Sequence, residues 1–388
     1  MAGADTPLIG IVAGETSGDL LGAHLVRALQ QRMPGARFTG IAGPRMRAAG
    51  VEALYPMESL GVRGYAEVIR HLPRILRMRS NLADMLVRRN PAVFIGVDAP
   101  DFNLTLEGRL KRHGIPTVQY VSPAIWAWRR GRIGKIRRSA SLILALFPFE
   151  QPLYEAEGVP VRYVGHPLAD LLEKLPAQAD VREELRLRAG VPIIALLPGS
   201  RADEVRHHAR LFIDAARLVR EALPETRFVV PIASAETRKI FEEALYSTDE
   251  DPEDQPFTLM IGHSLEAMSA ADVVLVASGT ATLEAALLKR PMVIAYRMPR
   301  LSWWIMNRRR YLPWVGLPNI MAREFVVPEF LQDDATPANL AAPLIDFLRD
   351  AAKREHIGER FETLRNDLRR DTATRAADAV IELIRGRS

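Results

Sequence analysis

The sequence predicts an α/β protein with two domains, each a doubly wound parallel β-sheet covered by helices. Short apolar runs recur along the chain, and they are continuous rather than alternating, as is typical of strands buried on both faces of a parallel sheet. A glycine-containing turn and a helical pattern follow several of these runs, which indicates β-α-β units. The 388 residues exceed the size of one ordinary compact core, so two domains are expected.

The composition is that of a globular protein. Hydrophobic residues make up 48% of the chain and charged residues 26%, which is enough apolar material for a core. Cysteine is absent, which excludes disulfides and fits a reducing cytoplasm. No signal-peptide pattern and no run of 18 apolar residues occurs, so the sequence predicts neither export nor a membrane span.

Positive charge is concentrated in the first half of the chain. Residues 1–170 hold 22 Lys and Arg against 14 Asp and Glu, whereas the remainder holds 30 against 33. A basic half suggests an anionic partner, which can be nucleic acid, a phosphorylated substrate or an anionic membrane surface.

The first β-α unit is predicted as a strand over residues 8–13 and a helix over residues 19–33. The turn between them contains Glu15, which lies at the carboxyl end of the strand, the edge of an open α/β sheet where ligands bind. Glu15 is therefore a candidate site residue, and an ordinary polar turn residue is the alternative.

A second candidate follows the buried strand predicted over residues 92–97. Asp98 and Asp101 come directly after it, and a carboxylate at such an edge can serve as a general base. Asp101 or Asn103 can instead cap the helix predicted over residues 104–113. Capping explains one acid and leaves Asp98 as the candidate base.

All five tryptophans accompany arginine clusters. The first cluster contains Trp126, Trp128 and Arg129, and the second contains Trp303, Trp304, Trp314, Arg308, Arg309 and Arg310. This pairing is typical of membrane-interface anchoring and of single-stranded nucleic-acid binding, with packed tryptophans beside solvated helices as the alternative. A basic amphipathic pattern over residues 60–89, interrupted by Pro73, either packs on its own domain or lies at a membrane surface.

The second half begins after residues 165–170, where the chain crosses between domains. A strand over residues 193–197 precedes Gly199, Ser200 and Arg201, and a helix follows over residues 204–223. Backbone N–H groups at a helix N-terminus attract phosphate, and Arg201 can bind pyrophosphate bidentately. The acidic run 249–254 indicates a solvated loop, and no carboxylate pair is placed for a metal. Residues 353–387 form one long polar helical pattern, suited to crossing back over another domain.

A second phosphate-type loop lies within residues 273–296. A strand over residues 273–277 precedes Ser278, Gly279 and Thr280, a helix is predicted over residues 282–289, and a strand begins at residue 292. Glu284 is predicted in the first helical turn, where a carboxylate can bind a ribose diol above the loop. A glycine turn with a capping threonine is the alternative.

These motifs, in this order, resemble the lipid-A-disaccharide synthase family of inverting glycosyltransferases with the GT-B fold. The shared motifs are VAGETSGD from residue 12, AGPRM from 42, DAPDFN from 98, YVSPAIWAWR from 120, GHPLAD from 165, LLPGSR from 196, SGTATLE from 278, PMVIAYRM from 291 and LPNI from 317. They span nearly the whole chain. The chain has Ala124 and Ile125 where the family more usually has Ser and Val.

The resemblance implies that UDP-2,3-diacylglucosamine donates its sugar to 2,3-diacylglucosamine 1-phosphate, in the cytoplasm at the inner-membrane surface. The products are a β-1,6-linked disaccharide 1-phosphate and UDP. The family's donor region carries over to Gly199, Ser200, Arg201, Ser278, Gly279, Thr280, Glu284 and Asn319, and its acceptor side and base carry over to Glu15 and Asp98. We expect no cofactor and no metal, since helix N-termini and Arg201 can stabilise the departing UDP.

The expected organisation is an acceptor domain over residues 1–170, a UDP-sugar domain over residues 171–350 that faces it across a cleft, and a helical crossover tail over residues 351–388. A UDP-sugar epimerase or another lipid-linked glycosyltransferase of the same architecture is the alternative function. A nucleic-acid-binding protein would explain the tryptophan and arginine clusters but not two phosphate loops, so no nucleic-acid partner is expected. The sequence leaves a homodimer open.

Overall fold

The computed structural model describes residues 6–60, 65–126, 130–172, 177–247, 256–308 and 311–386. Its chain divides into two compact units, one formed by Met1–Asp170 with Leu368–Ser388 and the other by Leu171–Asp367. Each unit is built around one parallel sheet, which confirms the predicted fold class.

The first unit contains a seven-stranded sheet and eight helices within the described residues. Its strands are β1 (Leu8–Ala13), β2 (Arg37–Ala42), β3 (Val51–Pro56), β4 (Val93–Val97), β5 (Thr117–Tyr120), β6 (Leu142–Ala145) and β7 (Val161–Tyr163). Its helices are α1 (Thr16–Arg32), α2 (Pro44–Ala48), α3 (Tyr65–Arg89), α4 (Pro100–Arg112), α5 (Ile133–Ser139), α6 (Gln151–Glu155), α7 (Pro167–Leu171), which crosses into the second unit, and α17 (Thr372–Arg385).

The second unit contains a six-stranded sheet. Its strands are β8 (Ile193–Leu197), β9 (Arg227–Ile232), β10 (Phe257–Ile261), β11 (Val273–Ala277), β12 (Met292–Tyr296) and β13 (Glu329–Leu331). Its helices are α8 (Gln178–Glu184), α9 (Ala202–Ala222), α10 (Ala235–Leu245), α11 (Ser264–Ala270), α12 (Thr280–Leu287), α13 (Arg300–Asn307), α14 (Leu317–Ala322), α15 (Pro337–Arg349) and α16 (Ala351–Leu368).

The strand order places one switch point in each sheet. The first sheet runs β3-β2-β1-β4-β5-β6-β7 and the second runs β10-β9-β8-β11-β12-β13, and all recorded pairings are parallel. The order therefore reverses between β1 and β4 in one sheet and between β8 and β11 in the other. Open α/β sheets bind ligands beyond the carboxyl ends of the strands at such points.

The central strands are buried on both faces, as their continuous apolar runs predict. All five residues of β4, β8 and β11 are buried. Helices on both sides of each sheet exclude water from these side chains, and this burial is the main favourable term in folding.

The C-terminal tail differs from the predicted single helix. It forms α16 and α17, separated at Asp371, whose φ of 53° lies in the left-handed region. The Asp170 carboxylate accepts the backbone N–H groups of Arg370, Asp371 and Thr372 at 3.1, 3.1 and 2.7 Å, so it satisfies the start of α17. Helix α17 then packs on α1 through the core of the first unit. A helical pattern alone could not locate this break, because the capping acid lies about 200 residues away in sequence.

Pro73 does not interrupt α3, contrary to the sequence prediction, since the helix runs through it from Tyr65 to Arg89. Among the described residues, no helix combines the length and apolar character that crossing a bilayer requires.

Candidate functional site

The switch point of the first sheet brings the two predicted carboxylates together. Ala13 of β1 and Val97 of β4 are register partners, so Glu15 and Asp98 follow adjacent strands within two residues of that pair. Gly14 makes this approach close, because a Cβ placed on it would lie 2.7 Å from the Cβ of Ala99. The sequence analysis treated these acids separately, and the topology makes them neighbours.

Asp98 occupies a strained turn, which we call the Asp98 turn (Asp98 and Ala99). The φ angles are 53° at Asp98 and 41° at Ala99, a region that non-glycine residues rarely adopt. The Asp98 N–H donates to the Tyr120 carbonyl at 2.8 Å, which ties the turn to β5. Left-handed strain costs on the order of 1–3 kcal/mol per residue and persists only where surrounding structure holds it.

Two buried amide side chains hold this turn from behind. Asn103 Nδ2 donates to the Asp98 carbonyl at 2.8 Å, and Gln119 Nε2 donates to the same carbonyl at 3.1 Å. Gln119 Nε2 also donates at 3.1 Å to the carbonyl of Val121, a β-branched residue whose φ is 75°. The carboxyl ends of β4 and β5 are therefore fixed in unusual conformations by one polar cluster.

The environment makes Asp98 a better base than an ordinary aspartate. Burial raises the pKa of its carboxyl, the negative charge of Glu15 raises it further, and the Ala99 N–H opposes both effects. Glu15 itself is exposed and precedes α1 without a side-chain capping hydrogen bond. A raised pKa increases proton affinity, which is the property that a general base needs.

The predicted capping roles beside Asp98 are not observed. Helix α4 begins at Pro100 after Ala99, without a side-chain cap. Asp101 instead accepts from Arg132 Nη2 at 2.6 Å on the surface, and Asn103 donates to carbonyls of the preceding strand end. The acid that capping was expected to explain is thus engaged in an ion pair.

The switch point of the second sheet carries both phosphate-type loops. Gly199, Ser200 and Arg201 follow β8, and Ser278, Gly279 and Thr280 follow β11, its neighbour. Arg201 is 81% exposed, and Gly279 and Thr280 are exposed as well. Both loops end at helix N-termini, whose first N–H groups lack intrahelical partners and favour anions.

A carboxylate already occupies the first of these loops. Glu204 Oε2 accepts the N–H groups of Ser200 and Arg201 at 3.0 and 3.2 Å, and Glu204 Oε1 accepts from Arg201 Nη1 at 3.1 Å. Glu204 therefore closes a capping box at the start of α9. The sequence analysis missed this residue, although a glutamate three positions after the loop is a recognisable capping signal.

His208 anchors the same helix to the end of β12. Its Nδ1 donates to the Glu204 carbonyl at 2.7 Å, and its Nε2 accepts the Arg297 N–H at 2.9 Å. Burial lowers the pKa of His208, which fits a neutral ring with one nitrogen donating and the other accepting. The loop after β8 is thereby held to its neighbouring strand.

Helix α12 begins at Thr280, two residues earlier than predicted. Thr282 Oγ1 donates to the Gly279 carbonyl at 2.8 Å and accepts the Leu317 N–H at 3.3 Å, so it links the loop to α14. Glu284 consequently lies beyond the first helical turn, and the predicted position there is wrong. Its carboxyl is mostly buried, and burial raises its pKa.

Asn319 is fully engaged inside the second unit. Its Nδ2 donates to the Val327 carbonyl and to Glu329 Oε1, both at 2.8 Å, and its Oδ1 accepts the N–H groups of Val326 and Val327. Glu329 also accepts the N–H groups of Val315 and Gly316 at 2.8 and 2.9 Å. Ser278 Oγ donates to the Val315 carbonyl at 3.4 Å, so this pair supports the β11 loop indirectly.

The aromatic and basic residues have different surroundings. Trp126 is partly buried and donates to Glu150 Oε1 at 3.1 Å, which matches the packed alternative. Trp304 is 54% exposed, and the Arg308 guanidinium carbon lies 4.2 Å from its ring centroid. Trp303 is partly buried. Four residues lie outside the described part of the chain: Trp128, Arg129, Arg309 and Arg310.

The described residues contain no group of three or more His, Asp or Glu side chains that could hold a metal ion. What they assemble is a raised-pKa carboxylate at one switch point and two helix N-termini with a mobile arginine at the other. Such a pairing provides a base and an anion-binding surface, and Glu15 and Arg201 modify the charge at each.

Comparison with known proteins gives matches over the full length. A family model described as lipid-A-disaccharide synthetase matches residues 9–382. The lipid-A-disaccharide synthase of Methylobacillus flagellatus is 55% identical over 379 residues, covering 98% of this chain and 100% of the relative. That of Aromatoleum aromaticum is 54% identical over 373 residues, covering 96% and 95%.

Solved structures share the two-sheet architecture at low identity. MurG of Acinetobacter baumannii has a TM-score of 0.58 at 15% identity, covering 97% of this chain and 99% of that chain. UDP-GlcNAc 2-epimerase of Neisseria meningitidis, bound to UDP-GlcNAc, has a TM-score of 0.64 at 12% identity, covering 98% and 99%. These likenesses establish the GT-B fold, which glycosyltransferases and epimerases share.

Proposed function

This chain belongs to the lipid-A-disaccharide synthase family of glycosyltransferases, and from that membership we propose the reaction it catalyses. UDP-2,3-diacylglucosamine donates its sugar, with inversion, to the 6-hydroxyl of 2,3-diacylglucosamine 1-phosphate. The products are the β-1,6-linked disaccharide 1-phosphate and UDP. The single observation that carries the assignment of roles is the placement of the shared motifs at the two switch points, DAPDFN and VAGETSGD at one and LLPGSR and SGTATLE at the other.

Asp98 is the general base. It takes the proton of the acceptor 6-hydroxyl as that oxygen forms its bond to the anomeric carbon and the bond from that carbon to the UDP oxygen breaks. Support comes from its raised pKa and from the two amide side chains that hold its turn in place. Because inversion needs one displacement, no covalent sugar–enzyme intermediate is required.

Glu15 serves the acceptor side. Its negative charge contributes to the raised pKa of Asp98, and its exposed carboxylate is placed to accept a hydrogen bond from an acceptor hydroxyl. Glu15 is also the competing candidate for the base, because it too lies at the carboxyl edge of the sheet.

The loops after β8 and β11 bind the UDP moiety. Arg201 and the helix N-termini at Ser200 and Thr280 stabilise the diphosphate as its charge develops on departure. Glu284 is assigned to the donor sugar or ribose, and Asn319 acts through Glu329 and the Val315 loop. Support comes from the exposure of Arg201 and of the Gly279 turn.

The test is mass spectrometry of the products formed from UDP-2,3-diacylglucosamine with and without 2,3-diacylglucosamine 1-phosphate. The proposal expects disaccharide 1-phosphate and UDP only when the acceptor is present. Conversion of the donor without acceptor would favour the epimerase alternative, and no conversion in either sample would contradict both.

We also propose peripheral association with the anionic inner-membrane surface from the cytoplasmic side. Support comes from Trp304, which is exposed beneath Arg308, and from Leu72 and Leu76, which are exposed one turn apart on α3. Interfacial tryptophans sit at headgroup depth while nearby basic residues meet lipid phosphates.

Replacing Trp304 by Ser together with Arg308 by Gln should weaken cosedimentation with phosphatidylserine-containing vesicles by about fivefold or more, since each basic residue contributes about 1 kcal/mol. The matched control is Tyr246→Ser with Lys239→Gln, because Tyr246 is also 54% exposed on the second unit. Equal vesicle binding by both double variants would remove Trp304 and Arg308 from the membrane contact.

A further inference from the structure

Behind the Asp98 turn lies a buried polar cluster, which we call the amide–acid cluster (Asn103, Glu107 and Gln119). All three side chains are fully buried. Asn103 and Glu107 are four residues apart on α4, and Gln119 of β5 is the register partner of Gly96 in β4. The three residues thus meet over the same part of the sheet.

The donors and acceptors of this cluster do not balance. The N–H groups of Asn103 and Gln119 are spent on the carbonyls of the Asp98 turn and of its neighbours. Within the described residues, Asn103 Oδ1, Gln119 Oε1 and both Glu107 oxygens are buried without a hydrogen-bond partner. Buried polar atoms are rarely left in this state, so a donor is missing from the accounting.

Gly96 gives Glu107 its place in the cluster. A Cβ added to Gly96 would lie 2.4 Å from Glu107 Oε1 and 2.9 Å from Asn103 Cγ. The carboxyl of Glu107 and the amide of Asn103 therefore crowd the same point above β4. A glycine inside a buried strand often marks such a close approach, and any larger residue would expel the acid.

The proton of Glu107 supplies the missing donor. Burial raises the pKa of this carboxyl to about 8, against the opposing charges of Lys111 on the same helix and Lys135 on α5. Strands β4 and β5 contribute the uncharged Gly96 and Gln119, and no charged group of α3 among the described residues contributes to the shift. At neutral pH the group is a carboxylic acid, which donates one hydrogen bond.

We propose that Glu107 is a positioning residue for Asp98: as a neutral acid, it donates to an amide oxygen of Asn103 or Gln119 and so keeps their N–H groups directed at the Asp98 turn. This inference rests on the proposed role of Asp98 as base. Without the acid proton, each amide can rotate so that its oxygen faces the turn carbonyl, which would repel it. The base would then lose its fixed position while the UDP loops, on the second unit, remain unchanged.

The test compares Glu107→Gln with Glu107→Met in the full-length chain. Glutamine keeps a donor and neutral charge at nearly the same volume, whereas methionine keeps the volume without a donor. We expect turnover in Glu107→Gln to stay within about threefold of the unsubstituted protein and turnover in Glu107→Met to fall about 10- to 100-fold, since small misplacement of a catalytic group has effects of this order. Calorimetric UDP affinity should be unchanged in both.

The pH profile provides a readout that a purely structural role would not move. As pH rises through about 8, Glu107 ionises and turnover of the unsubstituted protein should decline. Glu107→Gln should lack this decline, because its amide does not titrate. Asp101→Asn is the matched control for removing an acid from α4, since Asp101 is exposed, and it should keep the decline.

Three results would overturn the inference: normal turnover in Glu107→Met, an equal loss in both variants, or an alkaline decline that persists in Glu107→Gln. The last result decides the question even if Glu107→Met does not fold. Asp98→Asn separates this inference from the proposed function. Near-normal turnover in Asp98→Asn contradicts the base itself, whereas loss there with normal turnover in Glu107→Met contradicts only the role of Glu107.

Discussion

The Asp98 turn in the first unit and the loops after β8 and β11 in the second lie at equivalent places in two similar sheets, yet they are built differently. The Asp98 turn is left-handed and half-buried, and buried side-chain amides hold its carbonyl. The loops of the second unit are exposed, and they offer backbone N–H groups and one solvated arginine.

This difference follows from what each site has to do. A base needs a shifted pKa and a fixed position, and both require burial and strain held by surrounding structure. A diphosphate site needs accessible donors that can exchange water or a side chain for the ligand. The same switch-point architecture therefore supports proton transfer on one unit and anion binding on the other.

The largest effect that tests this comparison is expected from Asp98→Asn. General-base catalysis typically contributes about 100- to 10,000-fold, so turnover should fall by that order, as measured by product formation. UDP affinity by calorimetry should be unaltered, because the loops that bind UDP belong to the second unit.

Two controls accompany this variant. Asp101→Asn removes an exposed acid three residues away and should leave turnover unchanged. If Asp98→Asn retains near-normal turnover while Glu15→Gln loses it, the role of base passes to Glu15.

The next effect in size concerns Arg201, whose replacement by Ala should weaken UDP binding without changing the state of Asp98. A charge-assisted contact contributes about 1.5–3 kcal/mol, which corresponds to a Kd increase of roughly 10- to 150-fold. Isothermal titration calorimetry with UDP measures it. Arg206→Ala on the same helix is the control, because Arg206 is also exposed and pairs with Asp203. An unchanged UDP Kd in Arg201→Ala would remove this loop from the donor site.

The smallest effect, and one of opposite sign, is expected from Glu204→Gln. The Glu204 carboxylate occupies the N–H groups of Ser200 and Arg201 that a diphosphate requires. Removing its charge should tighten UDP binding by about two- to fivefold, since charges at a helix N-terminus are worth roughly 0.3–1 kcal/mol. The same calorimetric titration measures it, with thermal unfolding as a check on the weakened cap. Weaker UDP binding in Glu204→Gln would mean that the carboxylate supports the bound loop instead of competing for it.

The fold was predictable because its signals are local. Strands β8 and β11 have the predicted bounds, since five consecutive apolar residues between turn signals leave few other buried structures. Where a boundary depends on a distant partner, prediction was wrong. The break between α16 and α17 requires the Asp170 carboxylate, and the start of α12 at Thr280 moved Glu284 out of the first turn.

The sequence by itself determined which residues end the strands, and so it identified Glu15, Asp98, Arg201 and the Gly279 turn as site candidates. Chain order and apolar runs are sufficient for that, because parallel strands present their carboxyl ends at one edge. Only the tertiary structure decided what surrounds them. Glu107 and Gln119 reach the Asp98 turn through the register of β4 with β5, and register depends on pairing between segments rather than on either segment alone.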